Sequence, residues 1–125
     1  MMSPDLAKRV KATIGITLAN TAQPLPSELL TFGIATSMVV PPHARLGLMS
    51  RSINHIEDTL PSVKIPVYFL HGKADQIVRA SSSKDAANAT PNGKYVEIPG
   101  VGHSPSFEAP AAVENAIRSV IARSM

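Results

Sequence analysis

The chain contains no cysteine, so neither disulfide bracing nor thiol chemistry is open to it. It has no tryptophan, and aromatic residues make up only 4% of the sequence. That scarcity argues against a nucleic-acid surface that works by stacking bases. Twelve basic residues against nine acidic ones leave a net charge of +3. The basic residues form no run, so the charge reads as solubility and not as a polyanion-binding patch. No stretch approaches the roughly 18 apolar residues that a membrane span requires. Lys8, Arg9 and Lys11 interrupt any apolar segment near the N-terminus, against a secretory leader. Internal repeats and low-complexity tracts are missing as well. These absences lead to the expectation of a cytoplasmic protein with neither nucleic-acid nor membrane partners.

What is present is enough apolar material, 44% of 125 residues, for one small domain. Ser3 and Pro4 suggest a helix start. Leu6, Val10, Ile14 and Leu18 then repeat every four residues on one helical face. Two prolines make residues 21–26 a loop, and residues 27–39 suit a second helix with Glu28 in its first turn. Pro41-Pro42 stops it. Leu46, Met49, Ile53, Ile56 and Leu60 form another apolar stripe at helical spacing, ended by Pro61.

From Ile65 the pattern changes. Residues 65–70 are apolar without alternation, which predicts a strand buried on both faces of a parallel sheet, with Pro66 at its start or on an edge. A turn through His71, Gly72 and Asp75 follows, then a short helix over 81–89, a turn at 90–93 and a second strand over 94–98. A glycine-containing loop spans 99–105. A last helix runs from Pro110, expected to bury Val113, Ile117, Val120 and Ile121. Strand, helix, strand, helix in that order implies a right-handed crossover between two parallel strands.

Asp75 closes the loop after the first strand, and His103 sits in the loop after the second. In open α/β sheets catalytic groups gather at this C-terminal edge. An Asp beside a His can fix the imidazole tautomer, and the His can then move a proton to and from a hydroxyl. Alone, Asp75 would be an ordinary turn cap and His103 an ordinary surface or core histidine. Gly100 and Gly102 suit a tight turn that presents the His. His71 reads as support for its loop, and His43 and His55 as surface residues without metal-type partners. Met38 and Met49 read as core or lining residues, Arg45 and Arg51 as solvated, and Glu108 as a favourable charge in the first turn of the last helix.

The segment from Ile65 to Val78 (strand, Pro, His71-Gly72-Lys73-Ala74-Asp75, then Ile77-Val78) resembles the acid-bearing strand and turn of the α/β-hydrolases. Gly100-Val101-Gly102-His103, followed by Glu108-Ala109-Pro110, resembles that family's histidine loop and the start of its last helix. Both motifs occur in order, and the resemblance covers residues 62–125. Residues 1–61 resemble more loosely the helical cap of lidded members. The resemblance implies an α/β chain with a partial α/β-hydrolase fold: two parallel strands with covering helices, preceded by a cap-like helical segment. It implies Ser-His-Asp acyl transfer on an ester or similar bond, with Asp75 as orienter and His103 as general base. It implies no cofactor and no metal, and the same residues serve cofactor-independent perhydrolysis in a related branch.

One departure is decisive. The family's nucleophile sits on a Gly-x-Ser-x-Gly elbow, and no such pentapeptide occurs here. The oxyanion hole, built partly from the residue after that nucleophile, goes with it. The expectation is therefore a truncated product or fragment that is inactive alone, with a small-molecule substrate only in an intact relative. The alternative is a non-catalytic remnant or interaction module. In either case the free sheet edge is expected to promote self-association or to dock a partner that supplies strands.

Overall fold

A computed structural model of the chain describes residues 5–50 and 56–124. The fold divides into two compact units: Met1–Ala19 with Pro24–Ile53, and Asn20–Gln23 with Asn54–Met125.

The first unit is helical. Helix α1 (Leu6–Ala19) begins where the Asp5 carboxylate accepts the Lys8 backbone N–H at 3.2 Å, an N-cap two positions beyond the expected cap Ser3, which with Pro4 lies outside the described residues. The helix continues through its β-branched half, where the Thr17 hydroxyl donates to the Thr13 carbonyl at 2.8 Å. Thr13 is 1% exposed and Thr17 is also buried, whereas Leu6 and Leu18 are exposed. The helical period is as the sequence suggests, but the leucine stripe is not the packed face. Small threonines let α2 (Ser27–Val39) approach closely: a Cβ on Gly33 would lie 3.3 Å from the Thr17 methyl, and the Thr13 hydroxyl reaches Met38 Sδ at 3.5 Å. Pro42 opens α3 (Pro42–Met49) at a position where its missing N–H is harmless. The stripe expected to run to Leu60 is therefore interrupted. Its Leu46 is exposed, Ile53 lies outside the described residues, and a short α4 (Ile56–Thr59) with a 3-10 turn (Leu60–Ser62) precedes the sheet.

The second unit is a βαβ crossover. Strand β1 (Val67–Gly72) and strand β2 (Gly93–Ile98) pair in parallel, from Val67 opposite Gly93 to Gly72 opposite Ile98. Between them α5 (Ala80–Ala89) packs on both strands. A single helical turn, α6 (Pro105–Glu108), takes in Pro105, expected in the loop, and Glu108, expected in the last helix, and α7 (Pro110–Ser124) follows. Pro66 falls just before β1, so it removes no ladder hydrogen bond.

The core of this unit is small: Ala87, Ile98, Val101 and Ala116, with His71 and Thr90. The strand, apolar on both faces, is left partly wet, and the burial expected of α7 fails. Residues Val67 to Leu70 are only half-buried, and Ile65 is 70% exposed. On α7 the buried residue is Ala116, while Ile117 and Ile121 are each 55% exposed and Val113 and Val120 are half-buried. The cause is common to both. Among the described residues the sheet has two strands, so β1 has one neighbour. Ala116 brings α7 close along a narrow line, and the larger side chains flank an open apolar groove of about 430 Å³ with Ile65, Val67 and Tyr68.

Candidate active site

Parallel pairing of β1 and β2 ends at Gly72 and Ile98, and the two following loops are joined through their backbones. The Lys73 N–H donates to the Ile98 carbonyl and the Ala74 N–H to the Val101 carbonyl, both at 2.9 Å. The contact is too close for a side chain: a Cβ on Gly72 would collide with the carbonyls of Val101 and Gly102.

This junction sets Asp75 beside His103. His103 Nδ1 lies 2.9 Å from Asp75 Oδ2. The acid is the buried partner, its side chain 5% exposed, while the imidazole is 38% exposed. Asp75 Oδ1 accepts the backbone N–H groups of Ile77 at 2.8 Å and Val78 at 3.0 Å. Burial works to raise the Asp75 pKa. The hydrogen bond from His103 and those from the Val78 and Ile77 amides outweigh it, so the carboxyl is held below the usual aspartate value. Because Nδ1 is engaged by a carboxylate, its proton is fixed there, and Nε2 of His103 is left as the basic nitrogen. Among the described residues nothing hydrogen-bonds that nitrogen. Beside the pair lies a hollow of about 200 Å³, bounded by Leu70, Val78 and Pro105.

His71 lies in β1, and it does more than support the loop that follows. It is 5% exposed, with Nδ1 2.9 Å from the Ser83 hydroxyl and Nε2 3.2 Å from the Val78 carbonyl. Its Nε2 also lies 3.5 Å from Asp75 Oδ2.

Glu108 departs from the sequence reading. It closes α6 and does not enter the first turn of α7, which starts at Pro110 without an acidic residue. Its carboxylate instead accepts backbone N–H groups from Gly102 at 3.0 and 3.1 Å, from Ser104 at 3.3 Å and from Ala22 at 2.6 Å. An irregular loop cannot pair its own N–H groups, so a carboxylate takes them. The segment Asn20–Gln23 is held against the histidine loop in this way, and a Cβ on Gly102 would meet Ala22 N at 2.7 Å. Sequence reasoning missed this role, although a Glu a few residues beyond a glycine-rich loop was the available signal.

The remaining residues lie elsewhere. His43 is exposed on α3, as expected. Arg45 is half-buried, and its guanidinium donates to the Ser37 carbonyl near the end of α2. Met38 is half-buried between α1 and α2. Arg51 and His55 lie outside the described residues, as does any account of the Met49 side chain. Among the described residues no three acidic or histidine side chains converge as metal ligands, and no helix is long and apolar enough to cross a membrane.

No family model matches the chain. It is 35% identical over 65 residues to the bifunctional esterase/perhydrolase of Acinetobacter calcoaceticus, a match that takes in 50% of this chain and 24% of that protein. The fold is similar to that of an esterase from Rhodococcus sp. ECU1013, with 26% identity and a TM-score of 0.89 over 99% of this chain and 45% of the esterase. It is also similar to a bromoperoxidase from Bacillus anthracis, with 18% identity and a TM-score of 0.81 over 90% of this chain and 44% of that one. The chain spans less than half the length of these relatives.

Proposed function

This chain has a partial α/β-hydrolase fold and is related to that superfamily, and from this premise we propose that it supplies the acid and base of a serine-hydrolase site for ester or similar bonds. Asp75 holds the proton on Nδ1 of His103. Nε2 then takes the proton of an attacking serine hydroxyl, while Asp75 stabilises the imidazolium that forms. The imidazolium returns the proton to the leaving alcohol. Residues 1–61 correspond in this reading to part of the family's cap. The serine and the oxyanion donors are not among these 125 residues, so the chain by itself is inactive. The observation that supports this reading is the 2.9 Å contact between His103 and a buried, hydrogen-bonded Asp75.

A chimera tests it. This chain replaces the corresponding part of the Rhodococcus esterase, and the rest of that esterase is kept. Hydrolysis of activated esters is expected, and it should fall by a factor of about 10³ or more in Asp75→Asn and His103→Ala. A folded chimera without activity sinks the proposal. The Acinetobacter relative is named for both esterase and perhydrolase activity, so peracid formation is measured in parallel.

A second reading is favoured by the open groove between β1 and α7. In it the chain is a non-catalytic module that docks through its sheet edge. A chimera that folds only when an added strand covers β1, and stays inactive, supports that reading.

A further inference from the structure

Asp75 Oδ2 faces two imidazoles, His103 at 2.9 Å and His71 at 3.5 Å. The second is buried and has no part in the proton path above. We propose that His71, itself held by Ser83, is a positioning residue that locks the Asp75 carboxylate in the orientation His103 requires.

The proton directions follow from the partners. The Val78 carbonyl can only accept, so Nε2 of His71 carries a hydrogen. Nδ1 completes the ring's contacts through the Ser83 hydroxyl on α5, at 2.9 Å. Nε2–H thus points at the Val78 carbonyl and lies beside Asp75 Oδ2, while the Val78 N–H binds Asp75 Oδ1 at 3.0 Å. His71 therefore holds the turn from Asp75 to Val78 in two ways: it binds the residue that binds the acid, and it presents a positive N–H edge to the oxygen shared with His103. Rotation of the Asp75 carboxylate would give up the Val78 N–H bond and this N–H edge. Because β1 carries His71 and α5 carries Ser83, the orientation of the acid is referred to the crossover itself and not to its own exposed loop. The proposal rests on the hydrolase reading only in naming His103 as the base.

The test reads the downfield Nδ1–H proton of His103 by NMR in the full chain, and needs no turnover. His71→Leu removes the N–H and should abolish the resonance through solvent exchange. His71→Gln keeps a side-chain N–H near the position of Nε2 and should restore it. Ser83→Ala removes only the hydroxyl that orients the ring, and should speed exchange of the His103 proton about tenfold, the scale of one neutral hydrogen bond. If His71→Leu does not fold, Ser83→Ala with His71→Gln decides. A resonance unchanged in Ser83→Ala overturns the proposal, as does one lost equally in His71→Gln and His71→Leu. An inactive chimera with these NMR effects intact would defeat the hydrolase reading and leave this one standing.

Discussion

Both oxygens of Glu108 receive the backbone N–H of Gly102, the residue immediately before His103. With Ser104 and Ala22 also donating, one carboxylate satisfies three amides that no other described group binds. Glu108→Ala should therefore destabilise the chain by about 1–3 kcal/mol, the cost of leaving half-buried donors unmet. Glu108→Gln keeps one accepting oxygen and should lose less. Urea denaturation of both variants checks the ranking, and equal losses would contradict the clamp.

Asp75 gives the chain an acid-sensitive contact. Its folded pKa is below the ordinary aspartate value of 3.8, chiefly because the His103 and backbone hydrogen bonds outweigh burial. A depressed acid contributes stability that is full above the unfolded value and is lost as pH falls through the lowered folded value. Stability should decline across that acid window. Asp75→Asn, which has no charge to lose, should be less stable at neutral pH and flatter below it. Denaturation midpoints against pH provide the comparison, and parallel curves would remove Asp75 as the cause.

The two tyrosines should titrate apart. Tyr68 lies under Arg123 and Lys94, with ring-centroid distances of 5.8 and 5.1 Å. The neighbouring Arg123 guanidinium is the largest influence and lowers its pKa from the usual 10.0 despite some desolvation. Tyr95 is raised, first by desolvation and then by its hydrogen bond to Glu97 at 3.2 Å. Ultraviolet titration of Tyr95→Phe and of Tyr68→Phe should show Tyr68 ionising at lower pH than Tyr95, and Arg123→Leu should raise the Tyr68 midpoint. Midpoints in the reverse order would contradict this.

The apolar groove between β1 and α7 should make the purified chain self-associate or bind hydrophobic dye. Ile65, Ile117 and Ile121 are more than half exposed, and β1 has one described neighbour whose pairing leaves its other edge open. Sedimentation at several concentrations measures this, and Ile117→Lys with Ile121→Lys should shift the chain toward monomer. A monodisperse parent chain with a sharp cooperative melt would defeat the expectation.

Local chemistry carried the order of elements. Pro41-Pro42, the apolar run from Ile65 and the turn at residues 90–93 each act within a few residues of themselves, so they could be read along the chain. The same holds for Asp75 and His103, because a parallel crossover brings the ends of consecutive strands together. Burial and hydrogen-bond partners are a different matter, since they depend on what arrives from far away. Periodicity shows that α1 has an apolar stripe, but only packing decided that Thr13 and Thr17 face α2. Val67 and Ile117 have the composition of core residues, and only the number of neighbouring strands left them beside an open groove. Glu108 meets Ala22 across 86 residues of sequence, and His71 in β1 meets Ser83 on the crossover helix. Such contacts satisfy polar groups that local structure leaves unpaired, and so the tertiary fold chose them.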